Sequence, residues 1–426
     1  MHNQRDEVTI TPTFSLEQFI KDHQKSEQQG VHELTRPKFV KGDLEVLTEK
    51  YDPPRLIHRT TELQKIASML LSFAGRSHPH NLFIYGRSGS GKTAAVRHTT
   101  MEIGRHAQLS RPLITLFANC RDQISHHGLI GKLIEELEKG KTIPTNTSWR
   151  ELCSRFLAAC RNAGANIVII LDEADGITKT KGDFDSLYYL SNLNSEMVGS
   201  QSTVSLVAIT NDLHYGEHLE ERVQSRLKVE KLHFAPYSAQ QLQDILHDRT
   251  NVVFTSDGLE EGLIPYCAAR AAQTHGDARY ALALIYKASV IATETRSDQV
   301  SMQHVLQARS ALEHDIISEG IDKLTVHEKL LLLAIARLSQ SRVGNAMITM
   351  GSLHQAYGKV CTEAGMEPMS PTSVARLMGD IIDEGLIKTD VKSLGRARGR
   401  TTIVTLMVPV ESTIQILLKE PLFNNP

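Results

Sequence analysis

Eight consecutive residues constrain this chain more than any others: Gly86-Arg87-Ser88-Gly89-Ser90-Gly91-Lys92-Thr93. The apolar run Asn81-Leu82-Phe83-Ile84-Tyr85 precedes them, and Ala94-Ala95-Val96 opens a helical pattern after them. A glycine-rich loop between strand and helix lets backbone N–H groups converge on phosphate oxygens. The helix N-terminus adds the positive end of its dipole. In that setting Lys92 reaches the β- and γ-phosphates, and the Thr93 hydroxyl can sit on Mg²⁺. Gly86, Ser88, Gly89, Ser90, Gly91, Lys92, Thr93 and Ala94 are therefore the candidate nucleotide-holding residues. The bland alternative, a plain Gly/Ser turn, is disfavoured by the strand-then-helix context.

Such a loop belongs on a parallel sheet, and the hydrophobic pattern supplies one. Strand-like runs stand at 81–85, 113–118, 167–171 and 204–210, with helical stretches between them. Strands alternating with helices predict a parallel α/β sheet covered on both faces. The run Ile167 to Leu171 ends in Asp172-Glu173-Ala174-Asp175. Carboxylates at the C-terminal edge of a central strand face the crevice where phosphates lie. Asp172 would hold Mg²⁺ through water, and Glu173 would orient or deprotonate the attacking water. Val207-Ala208-Ile209-Thr210-Asn211 repeats the arrangement, so Asn211 could bind that water or the γ-phosphate; asparagine is also a common turn former. Arg222 and Arg226 lie four residues apart on one helical face. An arginine there could reach the γ-phosphate of a neighbouring subunit. A solvated basic face is the competing reading.

The length of 426 residues suggests about three domains. Residues 1–45 are polar and weakly periodic, as in a loosely ordered extension. Tyr51-Asp52-Pro53-Pro54 reads as a turn, and Thr60 or Thr61 caps a helix running to about Ala74. An α/β part covers 46–235. After Pro236 strand signals stop, and Ser238–Arg249, Leu259–Thr274, Ala278–Arg296 and Gln299–Glu313 read as helices. They predict an all-α region over 236–318, with a linker around Ser318–Lys323. Over 319–426, helices at about Thr325–Ser339, Ser352–Ala364 and Ser370–Gly385 precede two β-rich runs, Leu386–Val391 and Thr401–Val408. Three helices followed by a hairpin is the order of a winged helix.

A formal net charge of −2 excludes a global positive field, so any nucleic-acid surface must be local. One exists. Between Gly385 and Arg400 stand Lys388, Lys392, Arg396, Arg398 and Arg400 against Asp390 alone. Glycines 395 and 399 let such a hairpin tip approach a phosphate backbone. Thr372, Ser373 and Arg376, near the start of the third helix, have suitable lengths for phosphates and base edges in a major groove. Winged helices also serve as protein–protein modules.

Other chemistries find little support. The five cysteines are scattered with no C-x-x-C pair, which argues against a disulfide framework or zinc site and for reduced, mostly buried thiols. His78/His80 and His126/His127 lack partners at ligand spacing and read as solvated or capping residues. The apolar runs are far shorter than a bilayer requires, and the first residues carry no apolar signal region. A soluble cytoplasmic, nucleoid-associated protein is the expectation.

Together with Gly276-Asp277-Ala278-Arg279-Tyr280-Ala281-Leu282 in the helical region, these motifs resemble those of AAA+ ATPases. Tyr51-Asp52-Pro53-Pro54-Arg55-Leu56-Ile57-His58-Arg59, Ala118-Asn119-Cys120-Arg121 and Leu171-Asp172-Glu173-Ala174-Asp175 narrow the match. So do Arg222-Val223-Gln224-Ser225-Arg226-Leu227, Phe234-Ala235-Pro236-Tyr237-Ser238, Ile245-Leu246-His247-Asp248-Arg249 and Leu324-Thr325-Val326-His327-Glu328-Lys329. The chain resembles the archaeal origin-recognition/cell-division-control (Orc/Cdc-type) replication initiators over about residues 40–400. Thr60 departs from that pattern, standing where these proteins commonly have glutamate.

The resemblance implies a RecA-like AAA+ base, an α-helical lid and a C-terminal winged helix. It also implies ATP or ADP with Mg²⁺ as cofactors. Arg279 would contact nucleotide phosphate from the lid, Tyr237 and Arg249 would contact the nucleotide, and Tyr51 to Arg59 would lie near adenine. Arg226 is favoured over Arg222 to act in trans. A helical insertion within about Arg121 to Gly140, acidic at Glu135, Glu136 and Glu138, would touch DNA. The implied partners are duplex origin DNA, the minichromosome-maintenance helicase and other copies of the family. The implied function is a slow ATPase switch in replication initiation. A DNA-translocating AAA+ motor of the branch-migration type shares the parts and predicts rings with fast, DNA-stimulated turnover. A nucleotide-dependent transcription regulator would bind promoters instead.

Overall fold

A computed structural model of the chain describes residues 37–76, 81–121, 125–140, 142–144, 146–178, 184–219, 221–227, 229–274, 276–341, 347–393 and 400–420. They divide into two compact units between Val305 and Leu306.

The first unit is built on five strands: β1 (Leu82–Gly86), β2 (Leu113–Asn119), β3 (Asn166–Asp172), β4 (Thr203–Thr210) and β5 (Glu230–Phe234). Their spatial order is β2-β3-β4-β1-β5, with every neighbouring pair parallel. β3 is buried along its whole length and β4 at all but its first residue. Their unbroken apolar character follows, since a central parallel strand meets helices on both faces. Ile167, Ile169 and Leu171 enter one core, with Leu133 and Phe156; Val168 and Ile170 enter the other, with Ile66, Phe73 and Val96.

β5 escaped the sequence reading. Glu230-Lys231-Leu232-His233-Phe234 buries only Leu232 and Phe234, the alternation of an edge strand with one wet face. It pairs with β1 in a register that sets Gly86 beside Phe234. Around the sheet lie helices Thr60–Arg76, Lys92–His106, His126–Leu137 and Trp149–Asn162. Thr60 begins its helix rather than capping it: Arg59 already supplies the carbonyl that accepts the Leu63 N–H.

After β5 come helices Ala239–Val253, Leu263–Gln273, Ala278–Glu294 and Met302–Asp322. Ser238 starts the first with a capping box: its hydroxyl accepts from Gln241 N, while the Gln241 side chain accepts from Ser238 N. The expected linker at Ser318–Lys323 is instead helical through Asp322. Ile317 and Ile321 are buried in the second unit's core. Gly320 allows that approach, because a Cβ there would stand 3.3 Å from Leu386.

The second unit carries helices Val326–Gln340, Met350–Glu363 and Pro371–Asp383, then the hairpin β7 (Ile387–Ser393) and β8 (Arg400–Leu406). A two-residue strand, β6 (Ile348–Thr349), completes an antiparallel sheet of order β6-β8-β7. Leu330, Leu333, Tyr357, Val374, Ile381 and Val404 fill its core. This is the winged-helix arrangement the element order predicts; β6 is too short to show a period in sequence. Among the described residues, no helix is long and apolar enough to cross a membrane.

Candidate functional site

The sheet order places the C-terminal ends of β3, β4 and β1 side by side, and so Asp172, Thr210 and Gly86. A cavity of about 360 Å³ opens there. It is lined by Gly89, Gly91, Lys92, Thr93, Ala94, Asp172, Glu173 and Asn211, and by Tyr51, Leu56, Ile57, Ile245 and Leu282. Tyr237, Arg249 and Arg279 also line it. The segment expected near adenine therefore does reach the cavity.

The loop's glycines are set by what touches them. A Cβ at Gly86 would lie 2.3 Å from the Phe234 carbonyl oxygen, and one at Gly91 2.8 Å from the Tyr237 hydroxyl. Gly89 has φ +70°, and a Cβ there would lie 1.9 Å from Asp277 Oδ1. Gly91, at φ 88°, stands at the N-cap of the helix beginning with Lys92 and offers no side-chain cap. The helix thus meets the cavity with bare N–H groups, as an anion site requires. Ser90 Oγ is buried in the loop with no hydrogen-bond partner.

Lys92 Nζ donates to Gly86 O at 2.8 Å, Arg87 O at 2.9 Å and Asn211 Oδ1 at 2.8 Å. Burial, and next the charge of Arg279, push its pKa down to about 8. Thr93 Oγ1 lies 2.9 and 3.1 Å from the Asp172 carboxylate oxygens. Burial raises the Asp172 carboxyl, with the Thr93 hydrogen bond opposing. A desolvated cation beside bare N–H groups suits a phosphate, and a desolvated carboxylate beside a hydroxyl suits a divalent cation. Each would keep its neighbour ionised. The residues fit a magnesium-bound nucleotide.

Glu173 has a left-handed backbone, φ 51°, unusual for a residue with a Cβ. Its Oε1 is 3.3 Å from the exposed Arg121 Nη1. Arg279, at the start of helix Ala278–Glu294, donates to Ser88 Oγ and lies 3.8 Å from both Glu49 and Asp277 carboxylates. Asp277 caps that helix through the N–H groups of Arg279 and Tyr280. Arg249 places its guanidinium 4.6 Å from the Tyr51 ring centroid, and burial lowers its pKa. Burial also raises the Tyr237 phenol, with the Arg59 charge opposing.

Asp277 and Arg59 fell inside stretches the sequence singled out but were given no individual role, and Glu49 was not among the sequence candidates. An N-cap aspartate ahead of a helical pattern was the one local signal, and it marks a helix start rather than a site. Arg222 and Arg226 fall in helix Glu221–Leu227, but their side chains lie outside the described residues.

The expected insertion forms helix His126–Leu137, which buries Leu129, Ile130, Leu133 and Ile134. Its acidic end is engaged internally: Glu136 accepts from Phe117 N at 2.8 Å, and Glu138 pairs with Arg155 at 2.6 Å. His126 and His127 are not merely solvated or capping residues. Their rings pack 4.9 and 5.5 Å from Trp149. The five cysteines are free thiols, four of them buried.

In the second unit, Thr372 and Arg376 are exposed on helix Pro371–Asp383, and the Ser373 hydroxyl lies 3.1 Å from that of the N-cap, Ser370. Lys392 pairs in backbone register with Thr401, and Arg400 with Ser393, at the hairpin end. The side chains of Lys392 and Arg400, and all of Arg396 and Arg398, lie outside the described residues.

Three family descriptions match the chain: AAA domain over 75–214, Cdc6 AAA+ ATPase-type lid domain over 243–310, and CDC6, C terminal winged helix domain over 319–415. The ORC1-type DNA replication protein of Thermococcus onnurineus is 33% identical over 369 residues, or 85% of this chain and 87% of that protein. ORC1-type DNA replication protein 1 of Sulfurisphaera tokodaii is 34% identical over 375 residues, 88% and 92% of the two chains. Among solved structures, the Aeropyrum pernix ORC1 protein in complex with DNA is 33% identical with a TM-score of 0.78, covering 91% of this chain and 98% of that one.

Proposed function

Because this chain belongs to the ORC1-type DNA replication proteins, we propose that it is a replication initiator that grips origin duplex DNA under the control of its nucleotide state. We also propose that the gripped form recruits or loads the minichromosome-maintenance helicase. The observation that carries the switch is the seating of Asp277 and Arg279 directly on Gly89 and Ser88. The all-α lid thereby touches the very loop that would hold phosphates.

When bound, a magnesium–ATP would supply a phosphoanhydride whose cleavage changes the charge facing both loop and lid. Lys92 would neutralise phosphate oxygens, and Thr93 and Asp172 would hold the magnesium. Glu173 orients the attacking water and takes its proton, with Asn211 holding that water or the terminal phosphate. Arg279 reads the phosphate charge from the lid, Tyr237 and Arg249 hold the rest of the nucleotide, and Arg226 acts on the site of a neighbouring copy. The proposed turnover is slow and serves as a switch. Thr372, Ser373, Arg376, Lys392, Arg396, Arg398 and Arg400 form the DNA surface. Support for that surface comes from the exposed start of helix Pro371–Asp383 and from the DNA-bound Aeropyrum pernix relative.

Paired variants test the switch. Lys92→Ala is expected to abolish nucleotide binding, while Glu173→Gln binds ATP but hydrolyses none. Titrating labelled origin duplex against each should give different affinities for the ATP-locked and nucleotide-free forms. Normal hydrolysis by Glu173→Gln removes its assigned role, and equal DNA affinities remove the switch.

A further inference from the structure

Arg59 takes no part in the chemistry above, yet only 3% of its surface is exposed. Buried arginines occur where the guanidinium is paired or stacked, and here it is both. Nη1 donates to Glu62 Oε1 at 2.9 Å, and Nη2 donates to the Ala235 carbonyl at 2.6 Å, immediately after β5. The guanidinium carbon lies 3.9 Å from the Tyr237 ring centroid and 5.2 Å from that of Phe234. Nε is buried with no hydrogen-bond partner, a cost that the other contacts must offset.

What Arg59 holds leads straight to the phosphate loop. The Tyr237 hydroxyl closes over Gly91 so tightly that a Cβ there would sit 2.8 Å away. The Tyr237 backbone lies against Gly276, where a Cβ would stand 2.6 Å from the Tyr237 carbonyl oxygen. The next residue, Asp277, bears on Gly89, and Ala278 N donates to Gly89 O at 3.3 Å. Side chain, lid entry and loop are thus in unbroken contact.

We propose that Arg59 is a positioning residue that clamps the start of the lid, holding Tyr237 over the phosphate loop and so setting how long a nucleotide stays bound. The proposal rests on reading the cavity as a nucleotide site. Lysine cannot replace arginine in this role, since it neither stacks as a plane nor reaches two acceptors in a fixed fork.

The test uses the full chain and the magnesium complex of N-methylanthraniloyl-ADP, chased with unlabelled ADP in a stopped-flow fluorimeter. Arg59→Lys is expected to speed dissociation about tenfold while association changes less than about twofold. In a Tyr237→Leu background the same substitution should add less than about twofold, because the group it positions has gone. An arginine that merely stabilised the fold would give effects that multiply, and that result overturns the proposal. So does an unchanged dissociation rate in a variant whose circular dichroism melt shows it folded. Should Arg59→Lys fail to fold, Tyr237→Phe keeps the ring against Arg59 and removes the hydroxyl at Gly91, with the hydrogen bond it shares with Arg59. Unchanged dissociation there also sinks the idea. A wild-type chain that never binds the probe overturns the cavity reading, and this inference with it.

Discussion

Gly89 is the residue at which loop and lid leave the least room. Alanine there must adopt a left-handed backbone at a cost of about 1–2 kcal/mol. Its methyl would also occupy the space of the Asp277 carboxylate, 1.9 Å away. Gly89→Ala should therefore push the cap of helix Ala278–Glu294 off the loop and weaken MgADP binding at least about tenfold by calorimetry, or about 1.4 kcal/mol. Wild-type affinity would mean that lid and loop do not meet as described. At this scale much of the site was legible. The loop, Asp172, Glu173 and Asn211 each end an apolar run, so local pattern alone marks them. The individual roles of Arg59 and Asp277, though both lie in stretches the sequence singled out, were not, because their meaning lies in partners far along the chain: Ala235 and Tyr237 for one, Gly89 for the other. No periodicity connects residues so far apart.

Elements were legible to the degree that burial gave them a rhythm. β3 and β4 announced themselves as apolar blocks because helices cover both their faces. β5 stayed hidden because an edge strand keeps charge on one side, and β6 because two residues have no period. Helix Met302–Asp322 outran its expected end because Ser318, Glu319 and Gly320 look like linker residues, although Ile317 and Ile321 beside them are buried. The helix that starts the lid is different, since its beginning is written in Ser238 and Gln241. Ser238→Ala removes the acceptor for Gln241 N and should cost about 1 kcal/mol. Scanning calorimetry should show the first unit's transition lowered by a few degrees, with the second unit's unmoved. Equal shifts in both would deny that the cap acts locally.

At the scale of the whole molecule, a chain of net charge −2 that binds DNA as proposed must concentrate its attraction locally. The hairpin between β7 and β8 is where the sequence concentrates it. Replacing Arg396, Arg398 and Arg400 with alanine should shallow the log–log salt dependence of duplex binding by roughly one unit per lost phosphate contact, about three in all. An unchanged slope takes the hairpin out of the interface. The same titrations followed by sedimentation separate an initiator from a translocating motor. Stable rings with DNA-accelerated ATP turnover would favour the motor; small assemblies on DNA would favour the initiator.

The position of β5 has a mechanical consequence. The backbone leaves the sheet from the strand lying against β1, so the lid is rooted beside the phosphate loop instead of at the end of a long tether. Gly86 and Phe234 are register partners with no room between them for even a methyl group. A lever pivoted that close to its load has almost no slack. With a nucleotide bound as proposed, a small tilt of the helices would act directly on the anion in the loop, and losing one phosphate would act directly on the helices.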